Sequence, residues 1–184
     1  MKRFTTFVLL SATALTATAA TEQEYNFKER VKDWTFTQRS RENTWHFEAG
    51  HRLYKDVDFT FRYADLDGTV EKRYKFTSPL WNYGNFALSG RMELRTFDNK
   101  EDHWRYRFIV DYKQPITSNV EAWVKLQPRW AFKDKGVQFD ARDQAGVAVK
   151  LNNVKFGPFI ERTAKDDWKT KSGTVVGTNF EVRL

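Results

Sequence analysis

A period of two runs through this chain and constrains it more than any other feature. Beyond residue 22, apolar and polar side chains alternate in segment after segment, which is the strand period and not the helical one. One segment places Trp104, Tyr106, Phe108, Val110 and Tyr112 on one side and Arg105, Arg107 and Asp111 on the other. Ten candidate strands can be read, near 23–33, 43–54, 56–65, 69–78, 85–97, 102–113, 118–131, 136–151, 153–163 and 174–184. Most have about 10 residues or slightly more, the length a tilted membrane-crossing strand requires. The expectation is an all-β fold: an antiparallel up-and-down transmembrane β-barrel of about ten strands, with eight or twelve as alternatives. One domain, 22–184, accounts for it.

The first residues read as a secretory signal peptide over 1–19, cleaved near 19–21. Lys2 and Arg3 supply the positive start, Phe7-Val8-Leu9-Leu10 opens a short apolar stretch, and Ala17-Thr18-Ala19 has the small-x-small pattern of a cleavage site. That stretch is far shorter than the roughly 20 apolar residues of a membrane-crossing helix. Membrane insertion would therefore have to use strands closed into a barrel. The chain has no cysteine, which excludes a lipid-anchored lipoprotein, a disulfide scaffold and a thiolate metal site.

Alternation alone does not say which face meets solvent, since a soluble lipocalin-like barrel alternates too, with its apolar side inward. Here the apolar face is too rich in rings for one small interior: the chain holds 16 Phe, 7 Trp and 7 Tyr. Trp34, Trp45, Tyr54, Trp81, Tyr83, Trp104, Tyr112, Trp130 and Trp168 recur near strand ends, where interfacial girdles place amphipathic rings. Phe180, Val182 and Leu184 carry the alternation to the last residue, as outer-membrane barrels commonly do. The expected location is the outer membrane of a Gram-negative cell, with outer-membrane lipid and lipopolysaccharide as surroundings. With both termini on the inner side, long connections near 34–42 and 164–173 would lie outside, and the strand number would be even.

The other face is polar, and its cations outnumber its anions about two to one. Net charge is +7, or about +5 once Lys2 and Arg3 leave with the signal (29 basic residues against 24 acidic). Export argues against nucleic acid as the partner of this charge; acidic sugars, lipopolysaccharide phosphates or small anions are what an exported basic protein meets. Guanidinium groups stay charged and offer a planar fork to carboxylates. Rings of such groups in a narrow pore favour anions. Alternatively, the arginines pair with Glu48, Glu71, Glu93, Asp111 and Glu121 and plug the barrel, since ten strands enclose a narrow lumen.

The segment Trp104-Arg105-Tyr106-Arg107-Phe108-Ile109-Val110-Asp111-Tyr112 with the turn to Asn119, and the stretch from Trp45 to Tyr63, resemble the aromatic–arginine strands of small oligogalacturonate-specific porins, the KdgM family. The likeness is diffuse and spread over the mature chain; members of that family usually carry twelve strands. It implies a monomeric porin-like channel for transport of acidic oligosaccharides, with no cofactor. Arg62, Arg91, Arg95, Arg105, Arg107, Arg129 and Arg142 would be the substrate-binding positions by strand phase. A closed structural or adhesive barrel is the alternative. An outer-membrane hydrolase comes third and no catalytic residue is assigned: Asp102-His103 is the one acid–base neighbour pair at a rim, without a positioned nucleophile. Three scattered histidines and no cysteine give no metal-ligand spacing.

Overall fold

The computed structural model describes residues 22–165 and 170–184; the expected signal peptide and Trp168 lie outside them. The described residues form a closed barrel of eleven strands: β1 (Glu22–Val31), β2 (Trp34–Arg41), β3 (Thr44–Arg52), β4 (Asp58–Leu66), β5 (Val70–Tyr83), β6 (Phe86–Phe97), β7 (His103–Pro115), β8 (Val120–Lys133), β9 (Gly136–Leu151), β10 (Val154–Lys165) and β11 (Thr170–Arg183). Each strand pairs antiparallel with its sequence neighbours. The barrel closes between β1 and β11, which run parallel, with Tyr25 beside Thr178 and Phe27 beside Phe180.

This corrects the count of ten and the even parity. The additional strand is β2, which the sequence reading had placed in a long loop over 34–42. Its outward row is Trp34, Phe36, Gln38 and Ser40, so the apolar half of the alternation fades after two residues. Lys32, with φ of 52°, and Asp33 make a two-residue reversal, the left-handed geometry that suits the twist of a hairpin. β2 then lies between β1 and β3 in unbroken register. An odd number of strands also puts the start of β1 and the end of β11 at opposite ends of the barrel, not on one side.

One end carries the connections 42–43, 67–69, 98–102 and 134–135; we call it the loop end. The turn end carries 32–33, 53–57 with a single 3-10 turn at Tyr54–Asp56, 84–85, 116–119 and 152–153. Loop length barely distinguishes them, five residues being the longest described connection at each. Pro128 and Pro158 sit inside strands, and at each one a neighbouring ladder loses its pairing, as a residue without an N–H requires.

The faces are inverted relative to a water-soluble barrel. The outward rows are apolar and open: Phe47, Phe76, Met92, Leu126 and Ile160 are 39–51% exposed, and Trp34, Tyr54, Trp81, Trp104 and Tyr83 stand near the rims. The lumen holds the charges, with Glu24, Glu71, Glu93 and Glu161 fully enclosed. The outward face does carry a mid-strand charge pair. Asp143 and Arg162 face each other across β9 and β10, and Arg162 donates to Asp143 at 2.7 Å, so the two neutralise one another. Among the described residues no helix is long and apolar enough to cross a membrane.

Candidate anion site in the lumen

Strand phase alone turns Arg91 and Arg95 of β6, Arg105 and Arg107 of β7, Arg129 of β8 and Arg142 of β9 inward. The barrel converts that pattern into two chambers. The loop-end chamber has a volume of about 330 Å³, at the small end of ligand pockets. Nine arginines line it, Arg39, Arg41, Arg62, Arg73, Arg95, Arg105, Arg107, Arg129 and Arg142, together with Glu24, Glu71 and His46. Of the seven arginines expected from the sequence, Arg62, Arg95, Arg105, Arg107, Arg129 and Arg142 meet here. Arg91 lines the other chamber, at the turn end.

Some of these guanidiniums are well held. Arg73 donates to both oxygens of Glu71 at 2.7 and 3.0 Å, and Arg95 donates to the same carboxylate. Arg41 reaches Glu24 at 2.6 Å and Glu161 at 3.3 Å, Arg142 reaches Glu161 at 3.1 Å, and Arg129 pairs with Asp140. Arg107 donates to Gln127 at 2.7 Å and pairs with Glu93 at 2.8 Å. Others are not. Arg62 approaches Glu48 and Glu71 at 4.0 and 3.9 Å, and Arg105 approaches Glu93 at 4.0 Å, all beyond hydrogen-bond distance. Both side chains are buried, and the Nε of each has no hydrogen-bond partner among the described residues.

The charge count makes the same point. Among the described residues, the carboxylates in reach of the nine arginines are Glu24, Glu48, Glu71, Glu93, Glu161 and Asp140. Lys75 and Arg91 draw further on Glu48 and Glu93. Among these residues the cations outnumber the carboxylates, and a buried charge that is not fully paired is costly. An arrangement of this kind attracts anions and can hold a planar carboxylate or an oxyanion on two or more forks.

Toward the turn end, charged side chains on nearby strands project into the lumen and pair along its wall. Lys75 donates to Glu48 at 2.5 Å, Arg107 bridges Glu93 and Gln127, and Lys125 pairs with Asp111 at 3.2 Å. On the β8–β11 wall one row reads Trp123, Gly146, Phe159, Gly177 and Glu24 across five adjacent strands. Each ring lies over a glycine: a Cβ at Gly146 would be 2.7 Å from the Trp123 ring, and one at Gly177 would be 2.5 Å from that of Phe159. Neither these aromatics nor Arg39 and Arg41 were expected in the site. The arginines alternate with Gln38 and Ser40, and that spacing was the available signal.

Asp102 and His103 are not brought together. The Asp102 carboxylate accepts from the backbone N–H of Phe97 at 2.9 Å, whereas the ring of His103 turns into the lumen, 3.4 Å from Arg95 and stacked on Phe97. No group of three or more metal-ligating side chains occurs among the described residues. Comparison with protein-family models, with curated proteins and with solved structures gives no match.

Proposed function

We propose that this protein is an outer-membrane barrel that admits anionic solutes into an arginine-lined lumen, acidic oligosaccharides being the class that resembles the family suggested by its strands. The observation that carries the reading is the surplus of guanidinium groups in the loop-end chamber, nine against six carboxylates in reach among the described residues. The apolar outward rows support a lipid setting, because water would penalise a contiguous apolar girdle of this extent. The surrounding partners are then lipid and lipopolysaccharide, and the solute is recognised through its negative charge.

A second reading has its own observation. The Glu48–Lys75, Glu93–Arg107 and Asp111–Lys125 pairs, on nearby strands, project into the lumen and narrow it, which suits a closed barrel that binds an anion without passing it. Purified protein in planar bilayers separates the two. A reversal potential favouring anions under a salt gradient, with current reduced by uronate oligomers, is the expected result. Silence from protein that is demonstrably folded would overturn the channel and leave the binding barrel.

A further inference from the structure

The turn-end chamber has a chemistry of its own. Its volume is about 250 Å³. Where the loop end is lined mostly by guanidinium forks, this end mixes two ammonium groups, Lys28 and Lys32, three guanidiniums and three carboxylates with a set of threonine hydroxyls. Lys28 of β1 stands directly beside Thr37 of β2, and in the adjoining row Thr35, Gly50 and Thr60 follow one another across β2, β3 and β4. Gly50 is what keeps the chamber open. A Cβ there would lie 3.1 Å from the Thr60 hydroxyl, so any larger residue would fill the gap between the two threonines.

The donors facing this space have capacity to spare. Lys28 has no carboxylate within 4 Å among the described residues. The carboxylate across from Thr37, Glu48, is already taken by Lys75 at 2.5 Å. The neighbouring Arg30 is held by Glu181 at 3.0 Å. Arg91 donates through Nε to Thr77 at 2.8 Å and reaches Glu93 at 3.9 Å. An ammonium acts on an oxyanion as a point charge, and the three hydroxyls of Thr35, Thr37 and Thr60, on β2 and β4, can each donate to a different oxygen. That suits a small tetrahedral anion better than a planar carboxylate, which the forks of the other chamber favour.

We infer that the turn-end chamber is a second anion site, built by Lys28, Thr35, Thr37, Thr60 and Arg91 for a free tetrahedral oxyanion such as inorganic phosphate or sulfate. The site stands whether or not the lumen conducts, because binding requires only the folded barrel. It is tested by calorimetric titration of inorganic phosphate into the full chain, refolded in detergent micelles at low ionic strength. The expected result is saturable binding that weakens about tenfold in Lys28→Gln and in the Thr37→Val, Thr60→Val double variant, the scale of a hydrogen bond to a charged group. Gly50→Val, which fills the chamber, abolishes it. Lys72→Gln, an outward cation exposed on β5, leaves it unchanged. The Thr→Val substitutions keep side-chain shape, and retained compact mobility on an unheated gel reports that each variant has folded. Absence of saturable binding, or equal weakening by Lys72→Gln and Lys28→Gln in folded protein, overturns the assignment. Bilayer silence with phosphate binding intact would remove the channel and leave this site.

Discussion

Glu93 is the sharpest place to perturb the lumen. It is fully buried on β6, and four guanidiniums converge on it: Arg107 at 2.8 Å, Arg73 at 3.5 Å, Arg91 at 3.9 Å and Arg105 at 4.0 Å. At an effective dielectric near 20, each such pair carries gross attraction of about 4–6 kcal/mol, offset in large part by the desolvation of both ions. Removing the charge while keeping the shape, as Glu93→Gln does, leaves the desolvation of the arginines uncompensated. The expected loss is about 3–5 kcal/mol of unfolding free energy. The same substitution raises the surplus of positive charge by one, so the variant should regain stability from a soluble anion more strongly than the native chain does. At a concentration of 100 times the dissociation constant the recovery is about 2.7 kcal/mol. Urea unfolding in detergent micelles, followed by tryptophan fluorescence with galacturonate titrated at constant ionic strength, measures both quantities. A loss within about 0.5 kcal/mol, the range of surface substitutions, would show that the arginines are solvated rather than held by Glu93. A large loss that galacturonate does not relieve would refute the idea that the lumen lacks counter-charge.

Three further outcomes follow from the same geometry. Converting Arg105 and Arg107 together to glutamate should reduce or reverse anion preference in the bilayer reversal potential; unchanged selectivity would remove both from the solute path. Leu126, outward near the middle of β8, should tolerate arginine badly in lipid vesicles, with a loss of about 2–4 kcal/mol in unfolding free energy; a neutral effect would argue against a lipid-facing position. Gly177→Ala should destabilise by about 1–3 kcal/mol, because its Cβ meets both the Phe159 ring and the backbone oxygen of Glu24 at 2.5 Å. Adding Phe159→Leu should recover part of that loss and not all of it, since the backbone contact remains.

Particular residues show what could be read from the sequence and what could not. β9 was legible at its observed limits, 136–151, and the inward phase of Arg105 and Arg107 followed from the aromatic residues between them. β2 was not, because Gln38 and Ser40 face outward near the rim, where a polar residue costs little and the apolar half of the alternation is not required. That one omission propagated: it changed the parity of the barrel, the side of its termini and the membership of the arginine cluster. Trp123 and Phe159 were illegible for a different reason. Each lies in the polar phase of its strand, and what lets a ring stand there is a glycine on the adjacent strand, a relation between residues far apart in sequence.

On the anion reading proposed above, the arrangement of this barrel would tie its stability to its solute. In a water-soluble protein the core is apolar and electrically neutral, and a ligand adds to a fold that is already complete. Here the interior is made of ion pairs, with Glu24, Glu71, Glu93 and Glu161 each shared among two or more cations. Pairs of that kind tie neighbouring strands together, yet the sharing leaves Arg62 and Arg105 at the edge of contact. If the lumen were balanced charge for charge, an entering anion would have to displace a carboxylate and would gain little. Because the described lumen is not, an anion would gain from groups that the fold has already desolvated and fixed in place. On the proposed reading the solute site is the part of the core that the sequence leaves unneutralised, and affinity and stability are then expected to change together when either Glu93 or Arg105 is altered.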